Sequence, residues 1–367
     1  MFGNACHYLR QKTRLLLLFY ANAKNNIALL TKKVSLVASV TFCIIASGAT
    51  FWLSRIYSAS HAKASESAVA TSAAKDCNYT AARLKGYQYI KPLLDETPEC
   101  EAQSLAPLKQ EILNYIDNQK QGGMITSASV YIKEFASGDW TYINPGETYL
   151  PGSLFKLPIM LTILRMAEGN PALLNKKITF DQKHVVNVPQ TYATKTIEPG
   201  KSYTVKELLT YMIAYSDNNA TQLLNGCMDP QVLVKVFSDV GLTPPKSDAA
   251  SYLTYTISPR DYSVFMAALY NASYLTITES EYATSLLAQC NFKAGLVSGL
   301  PANVRIAHKF GEAGNQQQHE LHETGIVYIN NNAYLITVMT RGTDLKNLSA
   351  TIGNISKITY NKLSTHS

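Results

Sequence analysis

The tetrapeptide Ser153-Leu154-Phe155-Lys156 is the stretch around which the rest of the chain is organised. It follows a run at 142–149 with the composition of a strand, and it precedes an apolar run at 157–167 that is typical of a helix. A serine and a lysine three residues apart face the same side of a helix. A serine hydroxyl becomes an effective nucleophile when a neighbour takes its proton, and a poorly solvated amine has a pKa low enough to do so. The same pattern also fits a helix cap beside a solvated lysine, so other motifs must decide.

Two further short motifs follow in the chain. Ser216-Asp217-Asn218 comes directly after a predicted helix at 205–215, and Lys309-Phe310-Gly311 lies on the first of three predicted closing strands. Taken singly, Asp217 fits a turn or a helix cap, and Lys309 fits a charge on a strand edge. The order of the three motifs carries far more information than any one of them.

These motifs, in this order, resemble those of the serine penicillin-recognising enzymes, which comprise class A β-lactamases and penicillin-binding D,D-peptidases. The stretch from Thr204 through the second motif to Thr221 is similar to the central helix and loop of that family, and the resemblance covers roughly residues 104–363. It implies a β-lactamase/transpeptidase-like fold. It also implies a serine hydrolase that cleaves an amide or β-lactam C–N bond through an acyl-enzyme, with no cofactor. Its substrates would be β-lactams or D-alanyl cell-wall peptides.

The resemblance also implies catalytic roles for four residues. Ser153 would be the nucleophile and Lys156 its base. Ser216 would relay a proton to the departing nitrogen, and Lys309 would supply positive potential that favours the deprotonated relay and an anionic substrate.

Four more positions are implied to bind substrate. Asn218 would hold Lys156 and a substrate amide, and Gly311 would let the substrate backbone lie close to the strand. The backbone N–H groups of Ser153 and Glu312 would form the oxyanion hole. Phe310 stands where the family carries threonine or serine, whose hydroxyl helps to bind the substrate carboxylate. Recognition of that carboxylate is therefore either lost or falls to Lys309 and other groups.

A second departure concerns release of the acyl group. Class A β-lactamases carry a Glu-x-x-Leu-Asn loop between the second and third motifs, and its glutamate activates the deacylating water. The corresponding stretch here, 241–259, contains a single acid, Asp248. This favours slow acyl release, as in a penicillin-binding protein or D,D-peptidase. The alternative is a catalytically degenerate binding or scaffold protein of the same fold at the cell envelope.

The pattern of predicted elements indicates an α+β fold. Two strand-like runs at 128–135 and 139–143 precede a helical middle, and three more follow near 305–309, 325–329 and 333–341. Predicted helices lie at 105–119, 157–167, 205–215, 220–224, 231–240, 259–270, 279–289 and 347–363, while 178–201 reads as irregular. We therefore expect an antiparallel sheet built from both ends of the domain, flanked by helices, with an inserted all-helical subdomain.

The N-terminal part of the chain predicts a membrane anchor. Residues 1–33 form a basic segment with six Lys and Arg and no acid, and residues 34–54 are uncharged and mostly apolar. About twenty such residues span a bilayer, and the basic flank favours a cytoplasmic N-terminus. The alternative is a cleaved signal peptide and a secreted protein. Residues 55–103 would be a tether with a short Cys-bracketed segment, and residues 104–367 the extracytoplasmic hydrolase domain.

The charges, cysteines and histidines of the chain bear on three further questions: nucleic-acid binding, disulfide bonds and metal binding. The chain has a net charge of +7, but six of these charges lie in residues 1–33, which argues against nucleic-acid binding by the folded part. In an oxidising compartment Cys77 and Cys100 are a candidate disulfide pair. Cys227 and Cys290 are either a second pair or two buried free thiols. Three histidines near the third motif, at positions 308, 319 and 322, lack ligand spacing for a metal and fit solvated or strand-edge positions better.

Overall fold

The computed structural model of the protein describes residues 77–365, except 187, 189, 247–253, 316 and 330–331. The predicted basic segment at 1–33, the predicted anchor at 34–54 and the tether up to residue 76 lie outside the described residues. Within the described part of the chain, no helix has both the length and the apolar character needed to cross a membrane.

A five-stranded antiparallel sheet is the framework on which the functional motifs are placed. Its strand order is β4-β3-β9-β8-β7, so the strand carrying the third motif, β7, lies at one edge. The strands of this sheet are Ser127–Glu134 (β3), Trp140–Ile143 (β4), Arg305–Gly314 (β7), His319–Ile329 (β8) and Asn332–Gly342 (β9). Because β3 and β4 precede the helical middle and the other three strands follow it, both ends of the domain build one sheet, as predicted.

Helices cover both faces of this sheet and also form the middle of the chain. They run over Ala106–Gln121 (α1), Lys156–Gly169 (α2), Val205–Ala214 (α3), Asn218–Asn225 (α4), Pro230–Asp239 (α5), Pro259–Tyr270 (α6), Ile277–Leu287 (α7) and Leu345–Leu363 (α8). The α+β class and the β-lactamase/transpeptidase-like arrangement of helices around an antiparallel sheet are confirmed.

Local sequence explains where several helices begin and which side they bury. Leu108, Ile112 and Ile116 recur at four-residue intervals along α1, and all three are fully buried in a core cluster with residues of β3, β9 and α8. Thr204 and Glu207 form a reciprocal capping box at the start of α3, with hydrogen bonds of 3.1 and 2.7 Å. These caps satisfy backbone donors that would otherwise lack partners, so the helix before the second motif begins at a defined residue.

The strand predicted at 142–149 is wrong beyond Ile143. The strand β4 ends at Ile143, and Asn144 then takes a left-handed conformation with φ of 53°. Tyr149 makes only a single bridge, with Ile257.

The closing strands β7 and β8 are longer than predicted, because buried polar residues such as Glu323 interrupt the apolar pattern without ending the strand.

The stretches before the first motif and around 178–201 contain two small additional sheets. Tyr79–Arg83 (β1) pairs with Leu93–Pro98 (β2), and Lys177–Thr179 (β5) pairs with Ser202–Thr204 (β6). The first of these hairpins follows the disulfide-bonded Cys77.

The cysteines divide into one disulfide and two thiols within the described residues. Cys77 is bonded to Cys100, whereas Cys227 and Cys290 are free. The second disulfide, which the sequence left open, is therefore not formed. Both residues are free thiols, of which Cys290 is buried and Cys227 half-buried.

Candidate active site

Ser153 lies on a tight turn that packs against the edge strand β7. The turn is a 3₁₀ helix over Gly152–Phe155, and Lys156 is the first residue of α2 directly after it. Gly152 has a φ of 52°, and a Cβ atom there would lie 2.3 Å from the carbonyl oxygen of Glu312. A Cβ atom on Gly311 would lie 2.4 Å from the carbonyl oxygen of Pro151. Two glycines thus allow the turn and the strand to meet.

This contact changes the role expected for Gly311. The sequence suggested that this glycine admits the substrate backbone, but its Cα faces the turn that carries Ser153. What Gly311 accommodates in the structure is the turn that carries Ser153, because any side chain would force that turn away from β7.

Lys156 is buried, and its amine points at the second motif. Its Nζ lies 2.8 Å from Asn218 Oδ1 and 3.2 Å from Ser216 Oγ, and it also donates to the carbonyl oxygen of Ser216. Burial is the main cause that lowers the pKa of Lys156 well below its usual value, and the positive charge of Lys309 lowers it further. A neutral amine in this position can accept a proton.

Ser216 lies between two lysine amines. Its Oγ is 3.0 Å from Lys309 Nζ and 3.2 Å from Lys156 Nζ, and the residue is fully buried. Its φ of 57° is unusual for a residue other than glycine and costs of order 1 kcal/mol or more. This strained backbone is compensated by the contacts that hold the hydroxyl between the two amines.

Lys309 extends from β7 to the same hydroxyl and is also fully buried. Besides its bond to Ser216, its Nζ donates to the carbonyl oxygen of Phe310 at 2.8 Å. Burial lowers the pKa of Lys309 to about 8, although the charges of Cys290 and Glu323 oppose this shift. Below that pH the amine is charged and can stabilise negative charge on the relay.

The residues between these groups fix the loop in place. Asp217 caps α4 by accepting from the backbone N–H of Asn219 at 3.0 Å, and it also accepts from the backbone N–H of Ile197 at 2.9 Å and from Thr196 Oγ1 at 2.8 Å. Its role is therefore structural. The amide of Asn218 lies at the start of α4 and faces both Lys156 and the cleft.

A cleft of about 590 Å³ opens over Ser153. Its polar lining includes Ser153, Lys156, Asn218 and Glu312, and much of the rest is apolar. The apolar side chains in the lining are Phe155, Ile159, Val188, Met228, Pro230 and Leu233. A concave, largely apolar site with a few convergent polar groups and a perturbed lysine is typical of an active site.

The two remaining predicted binding residues lie in different environments. The ring of Phe310 is 2% exposed, stacks on Phe292 at 4.5 Å and contacts Tyr192 edge-on, so it belongs to the core and does not offer its side chain to the cleft. Glu312 lines the cleft, and its carboxylate accepts from Thr191 Oγ1 at 2.8 Å and from the Thr191 backbone N–H at 3.1 Å.

The histidines near the third motif are less exposed than the sequence suggested. His308 is buried, and its Nδ1 lies 2.6 Å from Glu323 Oε1. Burial opposes the charged imidazolium, but negative charge on Cys290 and Glu323 raises the pKa of His308 to about 10. His322 is also buried and bonds the carbonyl oxygen of Leu150 at 3.0 Å. No cluster of three or more potential metal ligands occurs among the described residues.

Sequence reasoning missed two residues beside the second motif. Gln190 lines the cleft, and its Nε2 donates to the carbonyl oxygen of Ser216 at 3.1 Å. The next residue, Thr191, holds Glu312. Both belong to the stretch that reads as irregular in sequence, where no periodicity marks which side chains face inward.

Comparison with known proteins identifies the family. Residues 107–363 match the family described as the beta-lactamase enzyme family. This match covers well over half of the chain, and the chain therefore belongs to that family. Its structural relatives are class A β-lactamases and PBP-A, in agreement with the serine penicillin-recognising enzymes named from the motifs.

Three solved structures illustrate the similarity in fold. A point mutant of PBP-A, solved as an acyl-enzyme complex with penicillin G, is 21% identical, with a TM-score of 0.59, over 71% of this chain and 97% of that chain. A class A β-lactamase from Mycobacterium abscessus is 20% identical, with a TM-score of 0.60, over 70% and 99%. A β-lactamase from Xanthomonas campestris pv. campestris is 18% identical, with a TM-score of 0.61, over 70% and 98%. A comparison with curated proteins finds no significant match.

Proposed function

We propose that this protein is a serine hydrolase that forms an acyl-enzyme at Ser153. The observation that carries the proposal is the position of Ser216 Oγ, within hydrogen-bonding distance of both Lys156 Nζ and Lys309 Nζ, next to a cleft that Ser153 and Lys156 both line. Such an arrangement provides a neutral base in the same cleft as Ser153, together with a proton relay and a fixed positive charge that contact one another.

The acylation step uses these groups in sequence. Ser153 Oγ attacks the carbonyl carbon of a strained or terminal amide while its proton passes to the neutral Lys156 amine. The C–N bond then breaks, Ser216 gives its hydroxyl proton to the leaving nitrogen, and Lys156 returns a proton to Ser216. Charged Lys309 stabilises the negative charge that Ser216 carries during this exchange.

The proposed substrates are β-lactams or D-alanyl peptides of the cell wall. The family membership supports this class, and a structural relative, PBP-A, has been captured as an acyl-enzyme with penicillin G. The apolar half of the cleft offers space for the acyl side chain, since Ile159, Met228 and Leu233 lie beside Ser153 in the same cavity.

We further propose that the acyl group leaves slowly. Among the described residues that line the cleft, Glu312 is the only carboxylate, and each of its oxygens accepts a hydrogen bond from Thr191. Glu312 follows the third motif on β7, whereas the glutamate that activates the deacylating water in class A β-lactamases comes from a loop between the second and third motifs. Asp248, the single acid of the stretch 241–259, lies outside the described residues.

The location of the hydrolase domain outside the cytoplasm is also a proposal. The Cys77–Cys100 disulfide supports it, because such bonds persist in oxidising compartments. Protease added to cells stripped of their outer layers, with the cytoplasmic membrane intact, should then degrade the domain while leaving a peptide that contains residues 34–54 in the membrane. Complete protection of the domain would contradict this proposal.

The acyl-enzyme proposal is tested by mass spectrometry of the full-length protein in mild detergent. The protein is mixed with benzylpenicillin or with its methyl ester, and the adduct and the hydrolysed product are followed together. A lasting adduct on Ser153 that is absent from Ser153→Ala is expected. Ser285→Ala, which removes an exposed serine from α7, is the matched control and should label normally.

Other outcomes distinguish the alternatives. Rapid hydrolysis without a lasting adduct would indicate an efficient β-lactamase. Reversible binding of either compound without any adduct or hydrolysis would favour a catalytically degenerate binding protein and would contradict the acyl-enzyme proposal.

A further inference from the structure

The segment 144–151, which leads from β4 into the turn that carries Ser153, belongs to no helix or strand. Its one backbone pairing with the rest of the domain is the bridge between Tyr149 and Ile257. The position of the segment on the sheet therefore depends on side chains that reach it from other elements. Two buried side chains of β8, Glu320 and His322, do so.

These two side chains bind both backbone groups of Leu150. The backbone N–H of Leu150 donates to Glu320 Oε2 at 2.8 Å, and the carbonyl oxygen of Leu150 accepts from His322 Nε2 at 3.0 Å. Leu150 thus obtains from side chains the two hydrogen bonds that a neighbouring strand would otherwise supply. Because Ser153 follows closely in the chain, the position of Leu150 determines where the turn that carries Ser153 begins.

The contacts of His322 define the tautomer of its ring. His322 Nδ1 lies 3.2 Å from the backbone nitrogen of Thr340, and a backbone N–H can only donate. Nδ1 is therefore the acceptor, and the proton of the neutral imidazole lies on Nε2, where it points at Leu150. The ring is fully buried and packs edge-on against Tyr149, with 5.3 Å between the ring centroids. His322 is consequently fixed through both nitrogens and through its ring.

The carboxylate of Glu320 is held by Arg341, which lies directly opposite it on β9. Arg341 Nε donates to Glu320 Oε1 at 2.7 Å, and Glu320 Oε2 is left to accept from Leu150 and lies 3.4 Å from His322 Nε2. The same guanidinium donates to the carbonyl oxygen of Thr148 at 2.8 Å. Hydrogen bonds that involve a charged partner are stronger than neutral ones, so this pair connects the segment firmly to β8 and β9.

Strand register places these contacts beside the point where the turn meets β7. His322 pairs with Gly311 across β8 and β7, and paired residues face the same side of a sheet. A Cβ atom on Gly311 would lie 2.4 Å from the carbonyl oxygen of Pro151. Two neighbouring strands therefore act on consecutive residues, because His322 binds Leu150 while Gly311 leaves room for Pro151.

We propose that His322 and Glu320 are positioning residues for Ser153, because they fix Leu150 and thereby the turn that presents the serine hydroxyl. This inference rests on the proposed acyl-enzyme at Ser153. Neither side chain is among the described residues that line the cleft, so both should affect the limiting rate of acylation and leave binding of the donor unchanged. A displacement of about 1 Å at the reacting atoms can lower a rate about 100-fold.

The test separates the two properties of His322, its hydrogen-bond donor and its ring. His322→Gln keeps a donor and loses the ring, whereas His322→Phe keeps a ring and loses the donor. Mass spectrometry of the full-length protein in mild detergent gives the limiting acylation rate and the half-saturating concentration of benzylpenicillin. His322→Phe should lower the limiting rate about tenfold or more without changing the half-saturating concentration, and His322→Gln should retain most of the rate.

Two further variants complete the design. His319→Phe makes the same substitution on the same strand, at a residue that faces the opposite side, and it should change neither quantity. Glu320→Gln leaves a single oxygen to accept from both Leu150 and Arg341, so it should lower the limiting rate in the same way. Glu320→Gln carries the test if His322→Phe does not fold, and chemical denaturation verifies the fold of each variant.

Three results would overturn the inference. A normal limiting rate in folded His322→Phe would show that the donor is not needed. An equal or larger loss in His322→Gln would assign the effect to packing of the ring, and a change confined to the half-saturating concentration would assign it to donor binding. In these cases an adduct on Ser153 in the wild type would leave the acyl-enzyme proposal standing, whereas the lack of that adduct would refute both.

Discussion

The pH dependence of acylation should reveal which lysine acts as base and which remains charged. Burial lowers the pKa of Lys309 to about 8, and its charged form is the one that stabilises Ser216 during proton relay. A group with that pKa is about nine-tenths protonated at pH 7 and about one-tenth at pH 9, so the rate should fall about tenfold between them. On the acid side, the rate should fall as Lys156 becomes protonated, because its neutral form is the base.

The assay uses a neutral acyl donor, so that the substrate itself does not titrate. Acylation rates are measured from about pH 5.5 to about 9.5 in the wild type and in Lys309→Arg. Because a guanidinium stays charged throughout this range, the variant should lose the basic limb and keep the acid limb. Lys309→Met, which removes the charge, should lower the plateau about 100-fold or more.

Because the two amines share one hydroxyl, their titrations are coupled, and the acid and basic limbs of the pH profile belong to the pair. The Lys309 variants are therefore needed to assign each limb to one lysine. A wild-type rate that stays flat to pH 9.5 would refute the assignment of Lys309 as the charged group. So would a basic limb that Lys309→Arg leaves in place while the protein remains folded.

Three further predictions follow from the same contacts. Folding lowers the pKa of Lys309 from 10.5 to about 8, so the unfolded chain binds more protons than the folded one between these pH values. The free energy of unfolding of the wild type should therefore rise by about 2 kcal/mol between pH 7.5 and 9.5, relative to that of Lys309→Met. Chemical denaturation at each pH measures this difference. Gly311→Ala places a methyl group 2.4 Å from a backbone oxygen of the nucleophile's turn and should slow acylation about 100-fold, whereas Gly146→Ala, which has no neighbour within 4 Å, should not. Replacing Cys77 and Cys100 by serine should lower the unfolding free energy by about 3 kcal/mol, given the 23-residue separation; an unchanged denaturation midpoint would contradict this.

Much of the fold could be predicted from the sequence because burial leaves a periodic pattern. The apolar positions of α1 recur every four residues and lie on one side of the helix. At the start of α6, Ser258 precedes Pro259, and the Oγ of Ser258 accepts a hydrogen bond from the backbone N–H of Asp261. These signals depend on neighbours close in sequence. The strand expected at 142–149 failed because composition alone does not reveal the left-handed turn at Asn144 that ends the pairing.

The residues proposed to be catalytic were predictable for a different reason. Three short motifs in a fixed order named Ser153, Lys156, Ser216 and Lys309, and the last three are connected by hydrogen bonds in the structure. The two-residue period of a strand already implies that Lys309 and Phe310 point to opposite sides of β7. The expectation that Phe310 lies at the substrate-binding position did not take this alternation into account, and its ring lies in the core.

Contacts between distant and irregular segments could not be predicted. The bond between Thr191 and Glu312 joins residues 121 positions apart, and Thr191 lies in a stretch without periodicity. The buried pair of His308 and Glu323 was missed for a related reason, since two polar residues on neighbouring strands look solvated until their partners are known. Such pairings depend on strand register, which the sequence of one strand does not contain.

The electrostatic environment of the two buried lysines also assigns their roles. Two ammonium groups that share one hydroxyl repel each other, so one of them must lose its proton more easily. Lys309 has negative charge on Cys290 and Glu323 to support its charged form, whereas Lys156 is supported by Asp217 and opposed by Lys309 itself. This difference supports the proposal that Lys156 acts as the neutral base and Lys309 as the fixed charge, because it follows from the carboxylates and the thiol that lie behind each amine.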